Sequence, residues 1–237
     1  VASKLAARYK VEITLETPKV AFRETIRKNS DVDSKYKKQS GGHGQYGHVK
    51  MKFEPSGDLE TPFVFEECVV GGAVPKNYFP AVEKGLLECM EKGPLAGCKV
   101  QNVKATLYDG SYHPVDSNEA AFKIAASLAF KKGIAEAKPC LLEPIMKLEI
   151  TVPDDFVGAV MGDLPTRRGA VMGMDPQIGG GQTLHAEAPQ AELFDYAIAL
   201  RSMTQARGSF TMEFARYEEV PAMNAQKIIE AHKAEEE

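Results

Sequence analysis

Residues 145–152 read IMKLEITV. Met146, Leu148, Ile150 and Val152 alternate with Lys147, Glu149 and Thr151, the period of a strand with one buried face. The next seventy residues decide the fold. A helical pattern covers 154–164, and strand patterns at 169–175 and 182–188 are joined by Gly179-Gly180-Gly181. A second helical pattern at 190–206 carries Leu193, Phe194, Ala197, Ile198 and Leu200, and 209–215 alternates again through Phe210, Met212 and Phe214. The order βαββαβ predicts a ferredoxin-like split βαβ unit, with both helices on one face of a four-stranded sheet.

Upstream, KPCLLEP (138–144) sets two prolines around an apolar pair and reads as a junction. Before it the pattern is less regular. Strand patterns fall at 11–15 and 18–26, then a polar, charged stretch at 28–40. In 46–53, Val49, Met51 and Phe53 face away from His48, Lys50 and Lys52, predicting a half-buried strand with a cationic outer face. Residues 62–70 form a further strand pattern. A helix over about 76–92 carries Val82, Leu86, Leu87 and Met90 and stops at Gly93-Pro94. Residues 99–108 read as a strand with Val103, Ala105 and Leu107 on one face. Asp109-Gly110 is a turn signal. Asp116 and Glu119 have capping-box spacing. They open a helix from about 117 to 132, with Phe122, Ile124, Ala125, Leu128 and Ala129 inward and Lys131 and Lys132 in its last turn. Residues 1–10 read as the last turns of a helix and the closing AHKAEEE as a frayed, charged end.

The 237 residues are 43% apolar and 26% charged, a soluble globular profile. No apolar run approaches the ~20 residues of a membrane span, and no signal-peptide pattern opens the chain. It begins with Val1 rather than Met and reads as a fragment or processed product. Cys68, Cys89, Cys98 and Cys140 lack CxxC spacing, which suggests reduced cytosolic thiols. Up to residue 139 there are 21 Lys and Arg against 17 Asp and Glu; beyond it, 8 against 16. This asymmetry supports two units, and the overall acidity excludes a protein that coats nucleic acid nonspecifically.

No phosphate-loop motif, GxSxG elbow or HExxH is present. Ser, His and Asp sit together in GSYHPVDS, but a triad is defined by geometry, not proximity in sequence. His43, His48 and His113 could converge on a metal, yet no cysteine pair accompanies them. The glycine-rich QSGGHGQYGH (39–48) follows Lys35, Lys37 and Lys38. It could cradle phosphate through its amides or form a thin finger against RNA. Tyr46 and Tyr112 could stack on bases. LPTRRG (164–169) offers Arg167-Arg168 as an exposed pair suited to bidentate phosphate contact.

The ordered motifs TPKVAFRETI, KQSGGHGQYGHV, GGAVP, GPLAG, DGSYHPVDSNEAAFKIAASLAF, KPCLLEPIMKLEITVP, MGDLPTRRG and RSMTQARGSFTMEF resemble the C-terminal part of bacterial translation elongation factor G. The resemblance implies an α+β chain: the end of domain III at 1–13, domain IV at 14–139, domain V at 140–221 and a tail at 222–237. It implies that domain IV is an arm-like α+β unit with a left-handed βαβ crossover, and that domain V is ferredoxin-like. In the family, the arm enters the A site of the small ribosomal subunit while GTP hydrolysis drives tRNA–mRNA translocation. By that likeness, Gly41, Gly42, His43, Gly44, Gln45 and Tyr46 with Ser111, Tyr112 and His113 make the RNA-binding tip, Gln45 and His113 matching its contact residues. Domain V, here with Arg167 and Arg168, would lie near the sarcin–ricin loop and stalk base. The expected partners are therefore rRNA, tRNA and mRNA, for a cytoplasmic monomer without membrane contact. No catalytic residue, metal or cofactor is expected in this chain; GTP and Mg would belong to an upstream domain. Two departures, His43 for the family's usual Arg and Pro165-Thr166 before the Arg pair, keep a recycling or rescue paralogue open. The GSYH loop fits the elongation branch better than the tetracycline-protection branch. A GHMP-like small-molecule kinase is the remaining alternative, with 41–47 as cradle, Lys50 or Lys38 on phosphate and Asp116 as base.

Overall fold

The computed structural model describes residues 8–9, 18–40, 42–57 and 62–236. Arg8 and Tyr9 are helical. The rest of the expected domain III segment, the strand at 11–15 and Gly41 lie outside the described residues. Two compact units emerge, residues 22–142 with 219–237 and residues 143–218 with 1–21.

The first unit opens with β1 (Arg23–Ile26), β2 (Ser30–Ser40), β3 (His43–Pro55) and β4 (Phe63–Glu67). Helix α1 (Phe79–Met90), β5 (Lys99–Val100), β6 (Val103–Ser111), helix α2 (Glu119–Glu136) and the start of β7 (Pro139–Val152) follow. Strands β2, β3, β6 and β4 form one sheet in that order. The polar stretch at 28–40 is thus largely a strand. Val32 and Ser34 are buried under α2, while Asp31, Asp33 and Lys35 face out. Strands β4 and β6 are parallel, so the chain crosses between them through α1.

Asp109-Gly110 is not a turn. It stays inside β6, beside a bulge where Lys50 pairs with Asp109 and Met51 with Leu107. A side chain at Gly110 would collide with the His48 carbonyl, so glycine here permits close approach rather than chain reversal.

The core joins Val49, Met51 and Phe53 of β3 and Val103, Ala105 and Leu107 of β6 to both helices. Phe53 meets Phe130 edge-on at 5.9 Å. The inward stripe of α2 is Ala121, Phe122, Ala125, Ala126, Ala129, Phe130, Gly133 and Ile134. Ile124 and Leu128, expected inward, are exposed, as is Leu87 on α1. Close helix packing is the cause: a Cβ at Gly85 would stand 2.6 Å from the Lys123 carbonyl and 3.3 Å from Ala126 Cβ. Small residues therefore win the interface over larger apolar ones. Asn118, not Asp116, caps α2, its Oδ1 accepting from Ala121 N at 2.8 Å. Lys131 and Lys132 fall short of the last turn, because the helix runs on to Glu136.

Strand β1 pairs parallel with β5 and antiparallel with the start of β7. The Glu24 carboxylate is fully buried and accepts the backbone N–H groups of Leu95, Ala96 and Cys98 at 3.0, 2.9 and 3.1 Å. This satisfies the charge and moulds the GPLAG loop around it.

The predicted junction at 138–144 lies within β7, with Pro139 as first residue, where no ladder N–H is forfeited. From Glu143 onward β7 belongs to the second unit, with helix α3 (Val157–Asp163), β8 (Ala170–Pro176), β9 (Gln182–Pro189), helix α4 (Tyr196–Met203) and β10 (Ser209–Glu219). The order β10-β7-β9-β8 is that of a ferredoxin-like sheet. Met146, Leu148, Ile150 and Val152 are buried as predicted. Phe194 and Ile198 are instead exposed, and Tyr196 is the aromatic that α4 buries, edge-on to Phe210 at 5.0 Å. In the first unit, helix α5 (Ala222–Glu236) sets Ala225, Ile228 and Ile229 on Ala96, Leu141 and Val220. The expected frayed end is thus helical to Glu236.

Candidate nucleic-acid interface

The β2–β3 hairpin closes at the Ser40–His43 pair. Just before His43, Gly42 takes φ +100°, a conformation suited to glycine. The next glycines do different work. A Cβ on Gly44 would meet Asp116 Oδ2 at 2.5 Å, and one on Gly47 would meet the Ala121 carbonyl at 2.5 Å. Gly44 admits a neighbouring loop and Gly47 the first turn of α2, not an external ligand.

That neighbour is the loop between β6 and α2. Tyr46 N donates to the Asp116 carbonyl at 2.9 Å, and Ser117 Oγ donates to the Tyr46 carbonyl at 2.9 Å. The Tyr46 hydroxyl meets Ser111 Oγ at 2.7 Å, and Lys35 Nζ lies 5.1 Å from the Tyr46 ring centre. One ring face thus carries a cation, and His113 stands tilted to the ring at 6.3 Å between centroids. Residues 42–48 and 111–117, distant in sequence, form a single tip.

His113 is half-exposed, and its Nδ1 accepts from Asp116 N at 3.1 Å and Val115 N at 3.3 Å. Asp116 Oδ2 also lies 3.5 Å from Nδ1. The two shorter N–H contacts require a bare Nδ1, so the proton sits on Nε2, which becomes a donor without a partner among the described residues. Gln45 shares the strand face of Gly47 and Val49. Its amide makes no hydrogen bond among the described residues, leaving a donor and an acceptor uncommitted. Ser111, by contrast, is consumed internally. Tyr112 and Val115 are exposed apolar groups beside His113. Val115 gives no signal in the sequence, because an apolar loop residue carries no motif of its own.

The cationic face expected along 46–53 is zipped shut. Lys50 pairs with Asp109 at 3.0 Å and His48 with Asp33 at 2.8 Å. Lys52 covers the Tyr108 ring at 5.1 Å. Tyr108 donates to Asp31 at 2.7 Å, and that bond pushes its hydroxyl pKa up to about 12. The aspartates come from β2 and β6, which the residues of β3 alone could not reveal. Lys37 and Lys38 on β2 make no ion pair among the described residues, so they carry the unspent positive charge at this end. A phosphate cradle also fails: 43–47 is paired strand, and the Asp116 carboxylate occupies the space over Gly44. This removes the structural basis of the kinase alternative.

Arg167 and Arg168, in the other unit, are not the exposed pair expected. Arg167 is 12% exposed and donates to Asp163 at 2.7 Å, to Asp195 at 2.6 Å and to the Glu192 carbonyl at 2.9 Å, while lying 5.2 Å over Tyr196. Arg168, with φ 55°, grips Glu143 with both Nη atoms at 2.6 and 2.9 Å and reaches Glu192 at 3.1 Å. Glu143 is 3% exposed, and the hydrogen bond to it raises the Arg168 pKa. These guanidiniums are engaged chiefly by carboxylates of their own unit rather than presented as an exposed pair of forks.

Residues 18–138 match the family Elongation factor G, domain IV, and residues 140–228 match Elongation factor G C-terminus. The chain belongs to the elongation factor G family. A crystal structure from Thermus thermophilus is similar at 47% identity and a TM-score of 0.86 over 95% of this chain. The chain spans 34% of that protein's length. The tip is formed wholly by the domain IV match, and the arginine corner lies in the C-terminal match. Among the described residues, no helix is long and apolar enough to cross a membrane.

Proposed function

We propose that this chain is the ribosome-contacting part of a translational GTPase that promotes tRNA–mRNA translocation. Its domain IV tip enters the A site of the small ribosomal subunit. One observation carries this reading: the two family loops form one tip whose uncommitted polar groups, Gln45 and His113 Nε2–H, point to an outside partner. Both are neutral and directional, suited to base or ribose edges, and such contacts release more readily than ion pairs. Lys37 and Lys38 supply phosphate attraction beside the tip. In the C-terminal domain, docking near the sarcin–ricin loop and stalk base falls to groups other than Arg167 and Arg168, such as the exposed Arg201. GTP and Mg are bound by an upstream domain of the parent protein.

In the full-length factor, Gln45→Ala and His113→Ala slow single-turnover translocation about tenfold or more with the fold intact. Wild-type rates for both sink the reading. His43 in place of the usual Arg favours a second reading, a paralogue acting in ribosome recycling. It predicts normal ribosome splitting and no translocation by the wild-type factor.

A further inference from the structure

The His48 ring is enclosed, with 14% of its side chain exposed, and both nitrogens are engaged. Nε2 meets Asp33 Oδ1 at 2.8 Å, and Nδ1 meets Ser111 Oγ at 2.7 Å. Ser111 Oγ in turn meets the Tyr46 hydroxyl at 2.7 Å. The chain Asp33–His48–Ser111–Tyr46 thus runs across three strands, from β2 through β3 to β6 and back. It ends on Tyr46, whose backbone receives the second loop from both sides through Asp116 and Ser117. With a neutral ring, every hydrogen has one place: Nε2–H donates to Asp33, Ser111 O–H to Nδ1, and Tyr46 O–H to Ser111. An enclosed histidine needs partners in any protein. What is specific here is that the partners lead to the seam between the two loops.

We propose that His48 and Asp33 are positioning residues for the tip. Through Ser111 they fix Tyr46, and with it the register of 42–48 against 111–117, so that Gln45 and His113 meet RNA as one preformed surface. The proposal rests on the ribosome-contact reading above. His48 and Asp33 stand on strands behind the seam and act through Tyr46 rather than by touching the partner. A preformed surface contacts RNA without first losing loop entropy, and misplacing it by an ångström is costly to rate.

The test measures single-turnover translocation by the full-length factor across a concentration series. His48→Ala lowers the saturated rate about tenfold, while the half-saturating concentration changes less than about twofold. His48→Asn, whose amide reaches the Nδ1 position and keeps the Ser111 bond but forfeits Asp33, recovers part of the rate. Ser111→Ala, which leaves ring and charges in place, reproduces the His48→Ala loss. A wild-type rate for His48→Ala or Ser111→Ala overturns the proposal. So does equal slowing of the Ala and Asn variants, which would mark His48 as packing alone. Gln45→Ala and His113→Ala run alongside separate the two ideas. If they are slow and the His48 variants fast, positioning alone fails; wild-type rates throughout remove the ribosome-contact reading itself.

Discussion

The domain IV tip and the arginine corner of the C-terminal domain both read, in sequence, as places to touch RNA. In the tip, internal bonds consume the backbone, Ser111 and one nitrogen of His113, and leave the other nitrogen and the Gln45 amide uncommitted among the described residues. In the corner, Arg167 and Arg168 together hold Asp163, Asp195, Glu143 and Glu192. A contact residue is thus recognised by what its neighbours leave unspent, not by its charge. The glycines sharpen the contrast, since Gly44 serves the seam and Gly47 the approach of α2, rather than slenderness.

Four substitutions at three positions probe this difference. Arg168→Ala has the largest expected effect on stability. It strands the buried Glu143 carboxylate and lowers unfolding free energy by about 3 kcal/mol, measured by denaturant titration. Arg168→Lys restores little, because an ammonium lacks the fork. If Arg168→Ala leaves stability untouched and weakens ribosome binding, the corner is a contact after all. Next comes Gly47→Ala, which drives a methyl into the Ala121 carbonyl and costs about 2 kcal/mol. An unshifted midpoint would mean that β3 does not pack against the first turn of α2 as described. The smallest effect is that of Tyr196→Phe. The Tyr196 hydroxyl is buried without a hydrogen-bond partner among the described residues, and burial pushes its pKa up to about 12. Removing it changes stability by less than about 1 kcal/mol, in either direction. A larger loss would reveal a hidden bond between this tyrosine and the arginine cluster.

The ferredoxin-like order was legible because β7 and β9 alternate cleanly; β10 alternates in sequence, yet its Met212 and Phe214, expected on one face with Phe210, are exposed. The inward faces of α1 and α2 were less so. Periodicity favours Ile124, Leu128 and Leu87, but interhelical distance, set by Gly85, selects alanines. The strand β2 was hidden by its charges, since Asp31, Asp33 and Lys35 mask the buried Val32 and Ser34. Tip membership could be inferred from motif order. Its wiring could not, because the Tyr46–Ser111 and His48–Ser111 bonds join positions 65 and 63 residues apart. Arg168 misled for the same reason, since the Glu143 and Glu192 that neutralise it lie 25 and 24 residues away, whereas one partner of Arg167, Asp163, stands only four residues before it.

The Glu24 nest and the α5 contacts carry a consequence for assembly over time. Glu24 waits for amide groups 71 to 74 residues later in the chain. The Arg27–Glu219 pair spans 192 residues, and Leu141 is covered by Val220 and Ile229. The unit built from 22–142 is therefore interrupted by the whole 143–218 unit before its last pieces are made. During synthesis the ferredoxin-like unit can close first. The arm-bearing unit stays ajar, its patch around Ala96 and Leu141 uncovered, until residues 219–229 have been made. Such non-local closure is slow, and chaperone capture of nascent chains should peak in that interval.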